Sequence, residues 1–230
     1  MFPVYHSNIK VNLNIMKRIL LFVSALWMGA MSLFATDTTC FPHRLLCDYL
    51  ENPLGIDNPN PRLSWQLNDS RQGAKQTAYQ IWVGTDSLEV VNEKGNQWNT
   101  GKQLSDKTLL SYKGEALQPF TKYYWKIKVW DKDGVSAHSA IHSFETGMMQ
   151  MKNWQGAWIG DWHDMHYKPA PYFRKVFQAK KKVKSARAYL AAAGLFELYL
   201  NGEKIGNHRL DPLYTRFDRK NFYLTFDVTK

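Results

Sequence analysis

Two short stretches of the chain gather residue types suited to holding a sugar or a cation. The first is Arg209-Leu210-Asp211-Pro212-Leu213-Tyr214-Thr215-Arg216-Phe217-Asp218. A pyranose presents an apolar patch and a rim of hydroxyls, so recognising one takes an aromatic face and planar polar groups. Tyr214 offers the face; Asp211 and Arg216 offer the planar groups. The second is Asp161-Trp162-His163-Asp164, where Trp162 is a further ring and the carboxylates of Asp161 and Asp164 suit a hard cation such as calcium. Each stretch also has a plainer reading. Asp211-Pro212 can simply shape a turn. Tyr214 and Phe217 can plug the end of a sandwich. Trp154, Trp158 and Trp162 recur at intervals of four and can pack on a neighbouring domain.

Catalytic constellations are absent from the pattern. Inverting glycoside hydrolysis needs two carboxyls facing one cleft about 6.5–9.5 Å apart, one of them kept protonated. Glu197 sits beside Leu198 and Tyr199 on an expected strand, and Asp211, Asp218 and Asp227 fall near turns or strand ends, with nothing to pair two of them. No Ser-His-Asp arrangement, glycine-rich phosphate loop or zinc motif appears, and His163, His166 and His208 are scattered. No cofactor is required by these residues. The cysteines are Cys40 and Cys47. Export would permit a disulfide, but Cys47 lies in the apolar run LLCDYL and fits a buried free thiol, so a bridge is not expected.

The elements that must position these residues are strands. Beyond residue 36, short runs of Tyr, Trp, Val, Ile and Phe alternate with Gly, Pro, Asn and Asp clusters, and no long amphipathic helix is evident. The chain is all-β, read as two consecutive β-sandwiches. In the first, over 41–146, Leu63, Trp65 and Leu67 share one face, as do Tyr79, Ile81 and Val83. Leu117-Gln118-Pro119-Phe120-Thr121-Lys122-Tyr123 leads into a strand with Tyr123, Trp125, Ile127 and Val129 on one face. That Leu-x-Pro-x-Thr-x-Tyr run resembles the corner before strand F of fibronectin type III modules, where the tyrosine hydroxyl bonds to nearby backbone, and Trp65 matches their buried tryptophan. Residues 147–153 read as a linker. A second unit over 154–230 shows strands at Phe173–Phe177, Ser185–Ala192, Leu195–Leu200, Lys204–Gly206 and Asn221–Val228, with Asn201-Gly202 as a tight turn. That is roughly five or six strands, where a jelly roll has about eight, so the second sandwich reads as incomplete.

Residues 1–35 read as a secretory signal peptide. Met16-Lys17-Arg18 precedes the uncharged run ILLFVSALWMGAMSLFAT, cleavage is expected after Ala35, and the true start is expected at Met16. The destination is then the periplasm or cell surface of a bacterium, with no membrane span after cleavage. The net charge is +10; setting aside the leader's Lys10, Lys17 and Arg18 leaves 27 basic and 20 acidic side chains, a net +7. Much of this excess lies in RKVFQAKKKVKSAR, from Arg174 to Arg187. The run reads as a solvated hairpin and strand edge, where lysines discourage edge pairing. No nucleic-acid motif accompanies it, so nucleic acid is not expected as a partner.

The stretches CDYLENPLGIDNPNPRLSW, RQGAKQTAYQIWV, TKYYWKIKVWDKDG, WIGDW and KSARAYLAAAGLFELYLNGEKIGNHRLDPLYTRFD, in this order, resemble the amino-terminal region of bacterial α-L-rhamnosidases. The resemblance covers nearly all of residues 41–230. It implies a fibronectin type III-like or immunoglobulin-like module, then a jelly-roll domain. In longer family members an (α/α)6 barrel follows and hydrolyses terminal α-linked L-rhamnose with inversion. The resemblance places the catalytic carboxylates beyond Lys230, so no catalytic residue carries over, and this chain alone is not expected to hydrolyse. Some jelly rolls of this kind bind rhamnose, in certain cases with calcium. This points to a rhamnose-containing glycan as a partner of Tyr214, Asp211, Arg216 and Trp162. A stand-alone secreted carbohydrate-binding or adhesion module is the competing reading.

Overall fold

A computed structural model of the chain describes residues 40–162, 166 and 170–229. The expected signal peptide, Met16 and Ala35 included, and Asp164 of the expected cation site lie outside the described residues. No helix among the described residues is long and apolar enough to cross a membrane.

The first module is two antiparallel sheets face to face. One is built from β1 (Phe41–Cys47), β2 (Arg62–Asn68) and β6 (Leu109–Ser111), in the order β1-β2-β6. The other centres on β3 (Gln76–Gly84) and β7 (Lys122–Asp131), flanked by β4 (Trp98–Asn99), β5 (Gln103–Leu104), β8 (Ser136–His138) and β9 (His142–Glu145). The period-two pattern decides which side chains meet. Leu63 and Trp65 of β2 and Tyr123, Trp125, Ile127 and Val129 of β7 are all buried in the space between the sheets, with Ile81, Val83 and Phe144. A polar group inside such a core must be satisfied. Trp65 Nε1 donates to Gln76 Oε1 at 2.9 Å, and Gln76 passes its own amide hydrogens to the carbonyls of Ser105 and Lys107. The corner before β7 holds together locally: Leu117 is buried, and the Tyr123 hydroxyl accepts the Gln118 N–H at 2.7 Å across Pro119.

Two further devices close the module. Asp86 caps a five-residue helix, α1 (Ser87–Val91), by accepting from the amides of Leu88 and Glu89. Asp131, buried at the end of β7, accepts from the amides of Asp133 and Val135 and so shapes the turn, while Arg71 bridges it to Asp69 and Asp133. Cys40 and Cys47 are both free and buried. They bracket an extended strand of about 20 Å, far beyond the reach of a disulfide.

The second module is smaller. β10 (Arg187–Ala191) pairs antiparallel with β13 (Tyr223–Asp227), from Arg187↔Asp227 to Ala191↔Tyr223. β11 (Tyr199–Leu200) and β12 (Glu203–Lys204) form a hairpin whose turn, Asn201-Gly202, has φ of +52° and +88°, as a type I′ turn requires. The structure departs from the expected strands here. Phe173–Phe177 is an exposed segment without a ladder, and the strand expected over Leu195–Leu200 is regular only at Tyr199–Leu200. Aromatic and β-branched residues favour a strand, but a strand exists only where another backbone pairs with it, and among the described residues none pairs with Phe173–Phe177.

Candidate functional site

The loop from His208 to Asp218 is anchored at its start. Leu210 adopts φ +58°, the Asp211–Pro212 peptide is cis, and Pro212 is buried. Asp211 presents its carbonyl to the Phe196 amide at 3.0 Å and its carboxylate to His208 Nδ1 at 2.7 Å. Tyr214 lies beyond this anchor, 86% exposed, with its ring edge-on to Phe217 at 5.2 Å. Pro212, not Tyr214, is therefore the buried member of this loop. Arg216 forks onto Asp218 at 2.6 and 3.1 Å, and this hydrogen bonding holds the Asp218 carboxyl below its ordinary range. The loop thus presents a free aromatic face beside a planar ion pair. Asp211 is turned toward His208.

Trp162 and Asp161 are exposed, and no hydrogen bond, ion pair or ring contact among the described residues joins Trp162 to the loop. No group of three or more His, Cys, Asp or Glu side chains among the described residues is placed to hold a metal ion.

The more elaborate arrangement lies where the two modules meet, and the sequence reading missed it. The NPLGID stretch runs beside β9: Glu145 N donates to Pro53 O, Ile56 N to Glu145 O, and Gly147 N to Ile56 O. This seats Asp57 at the module's end. Its carboxylate accepts from the Met149 amide at 2.7 Å and from the Tyr223 hydroxyl at 2.8 Å, and that hydroxyl accepts the Met148 amide at 3.0 Å. Burial pushes the Tyr223 hydroxyl well above the ordinary phenol range. The fit is close: a Cβ on Gly147 would lie 1.9 Å from the Tyr223 hydroxyl, and one on Gly55, itself at φ +76°, would lie 2.3 Å from Thr225 Oγ1.

Beside this knot, Arg187 lays both arms of its guanidinium on Glu145, at 2.9 Å each, and a third nitrogen contact reaches Asp227 at 2.9 Å. Phe120 meets Tyr189 edge to face at 5.4 Å. Two shallow clefts open on either side of that ring pair. One, of about 370 Å3, is lined by Phe120, Lys122, Glu145, Ser185, Arg187 and Tyr189; the other, of about 310 Å3, has Asn153 and Trp154 on its far wall. Asp227 is held below its ordinary value by the Thr229 hydroxyl and by Arg187. A carboxylate so placed favours ion pairing over the proton donation that glycosidic cleavage demands. A buried carboxylate at a strand end, Glu145, and a lone arginine in an apolar strand, Arg187, were the available sequence signals.

Comparison with known proteins follows the same division. Residues 42–150 match the family described as Rha78A-like, N-terminal immunoglobulin domain, and residues 181–230 match the alpha-L-rhamnosidase N-terminal domain. An alpha-L-rhamnosidase of Formosa agariphila is 32% identical over 212 residues, 81% of this chain and 22% of that protein. The structure of the alpha-L-rhamnosidase from Dictyoglumus thermophilum superposes with a TM-score of 0.76 at 37% identity, covering 82% of this chain and 23% of that one. The Streptomyces avermitilis alpha-L-rhamnosidase complexed with L-rhamnose shares the fold, with a TM-score of 0.52 at 24% identity, over 83% of this chain and 20% of that one. The chain spans 22% of the length of the first of these relatives. With its immunoglobulin-like module and its N-terminal domain in family order, this chain belongs to the α-L-rhamnosidase family and corresponds to its amino-terminal portion.

Proposed function

We propose that residues 40–229 act as a rigid front platform that supports and orients the catalytic (α/α)6 barrel of a longer secreted enzyme. That enzyme removes terminal α-L-rhamnose from glycans or glycosides in the periplasm or at the cell surface. The observation that carries the reading is the knot of Asp57, Tyr223 and the Met148 and Met149 amides, which joins the modules without a free hinge. A platform that positions another domain needs such stiffness, because loosely linked modules move relative to each other by default. The test is made on source cells with an antibody to residues 41–146. A native product several times larger than 26.8 kDa that cleaves p-nitrophenyl α-L-rhamnoside is expected. A native product of about this chain's own mass overturns the reading.

The exposed ring of Tyr214 favours a second role, contact with rhamnosylated glycan through the 209–218 loop, with Arg216, Asp211 and Trp162 as further contacts. Titration of L-rhamnose by calorimetry, with and without calcium, tests it. Tyr214→Ala is expected to abolish binding. Calcium dependence would extend the role to Asp161 and Asp164.

A further inference from the structure

Among the described residues, the lysine-rich run preceding β10 borders no strand edge. Residues 171–186 form no ladder, and Lys180, Lys181, Lys182 and Lys184 are all exposed. None of these four makes an ion pair among the described residues. Four like charges within five positions repel one another, and a polyanion relieves that repulsion. The run leads straight into the larger cleft: Ser185 lines it, Arg187 lies within it, and Lys122 lines it from β7. Arg187 is already committed to Glu145 and Asp227. The charge available to a ligand is therefore that of Lys122, whose Nζ lies 5.3 Å from the Tyr124 ring centroid, and of the four lysines on the approach to Ser185.

The cleft also has an aromatic wall that burial does not explain. Phe120 adopts φ +55°, a left-handed conformation that strains any bulky side chain, yet its ring remains 45% exposed. Glycine would hold the same backbone with less strain. What phenylalanine adds is a ring facing both clefts, braced edge to face by Tyr189.

We propose that the cleft walled by Phe120 and Tyr189, with Lys122 lining it and the exposed Lys180, Lys181, Lys182 and Lys184 in the segment that leads to Ser185, binds an anionic polysaccharide, a glycan bearing carboxylate or sulfate groups. One ring for an apolar sugar face and several ammonium groups for the acidic substituents match that chemistry. A nucleic-acid strand would need successive stacking platforms, and the cleft offers a single edge-to-face pair. The site is separate from the 209–218 loop, and its ligand class is charged where L-rhamnose is neutral. The inference therefore does not rest on the rhamnose reading.

The test is biolayer interferometry of the full chain on immobilised polygalacturonate, dextran sulfate, neutral dextran and single-stranded DNA. Binding to one or both acidic polymers and none to dextran is expected, and the preferred polymer identifies the acidic group. Replacing Lys180, Lys181, Lys182 and Lys184 together by alanine is expected to weaken binding about tenfold or more. Phe120→Gly, which relieves the backbone, is expected to weaken it about fivefold without lowering the thermal midpoint. A matched set of four changes elsewhere on the first module, at Lys75, Lys94, Lys107 and Lys113, is expected to leave binding within about twofold. Each of the following overturns the proposal: no binding to either acidic polymer, equal binding to neutral dextran, the four-lysine variant binding like the unchanged chain, Phe120→Gly or the matched set behaving contrary to these expectations, or single-stranded DNA binding as tightly as the glycans.

Discussion

Glu145, the last residue of β9, and Arg187, the first residue of β10, meet in a two-point fork with both N···O distances at 2.9 Å. Their side chains keep 7% and 14% of their exposure. Removing one partner of such a pair leaves the other charge buried and unanswered. Arg187→Met is therefore expected to destabilise the chain by on the order of 3 kcal/mol, and Glu145→Gln by less, because Arg187 keeps Asp227. The double change Glu145→Met with Arg187→Met is expected to recover part of the loss. Urea midpoints followed by tryptophan fluorescence decide it, and equal, additive losses would show that the pair is not coupled.

Acid should act first on the other end of the immunoglobulin-like module. The hydrogen bonds from Arg71 hold the Asp69 carboxyl at about 2. Burial tends to raise Asp131, but Arg71 and the Val135 and Asp133 amides outweigh it and the net direction is down. Both groups titrate lower in the folded chain than unfolded, so their contribution is whole above the ordinary carboxyl range and is lost as pH falls through the folded values. The thermal midpoint is expected to drop between about pH 4 and pH 2. Arg71→Met is expected to lower it above that window and to flatten the fall within it.

Tyr123→Phe isolates one hydrogen bond. The ring stays in the core against Phe144 at 5.2 Å, while the part-buried Gln118 N–H loses its acceptor. The expected cost is about 1–3 kcal/mol, seen as a lower urea midpoint at an unchanged slope.

The thiols offer a probe of the same core. Burial pushes Cys47 up to about 12, and burial likewise raises Cys40. Thiolate is the reactive form. Neither cysteine is expected to react with iodoacetamide at pH 8 in the folded chain, and both are expected to react in denaturant. Intact mass reads the result directly. Failure to label both after denaturation without reductant would mean that the thiols are bridged.

What was legible in the sequence was what is local. The inward face of β7, the Leu117–Tyr123 corner and the Asn201-Gly202 turn each depend on residues within a few positions of one another, so pattern and turn chemistry identify them. The junction is the opposite case. Tyr223 and Asp57 are 166 positions apart, and nothing in either neighbourhood names the other. The NPLGID stretch was recognisable as a motif, but its task of carrying Asp57 to the end of β9 appears only once the strands are paired. The segment around Phe173 is the reverse case, because its β-prone residues meet no partner strand among the described residues. Tyr214 stood out by residue type alone; that Pro212 is the buried member of its loop depended on the fold.

The contact between Gly147 and the Tyr223 hydroxyl bears on how this chain can be inherited or cut. A boundary drawn after Thr146 respects the strands of the first module, yet it removes the amides that Asp57 and Tyr223 share at Met148 and Met149. A donor that passed on only residues 41–146 would hand over a sandwich with Glu145 unanswered and an open socket where Tyr223 had been. The portable unit is the immunoglobulin-like module together with β10 and β13. Recombination between relatives should then exchange the two modules as one piece, with the glycines at 55 and 147 travelling alongside the Thr225 and Tyr223 they accommodate.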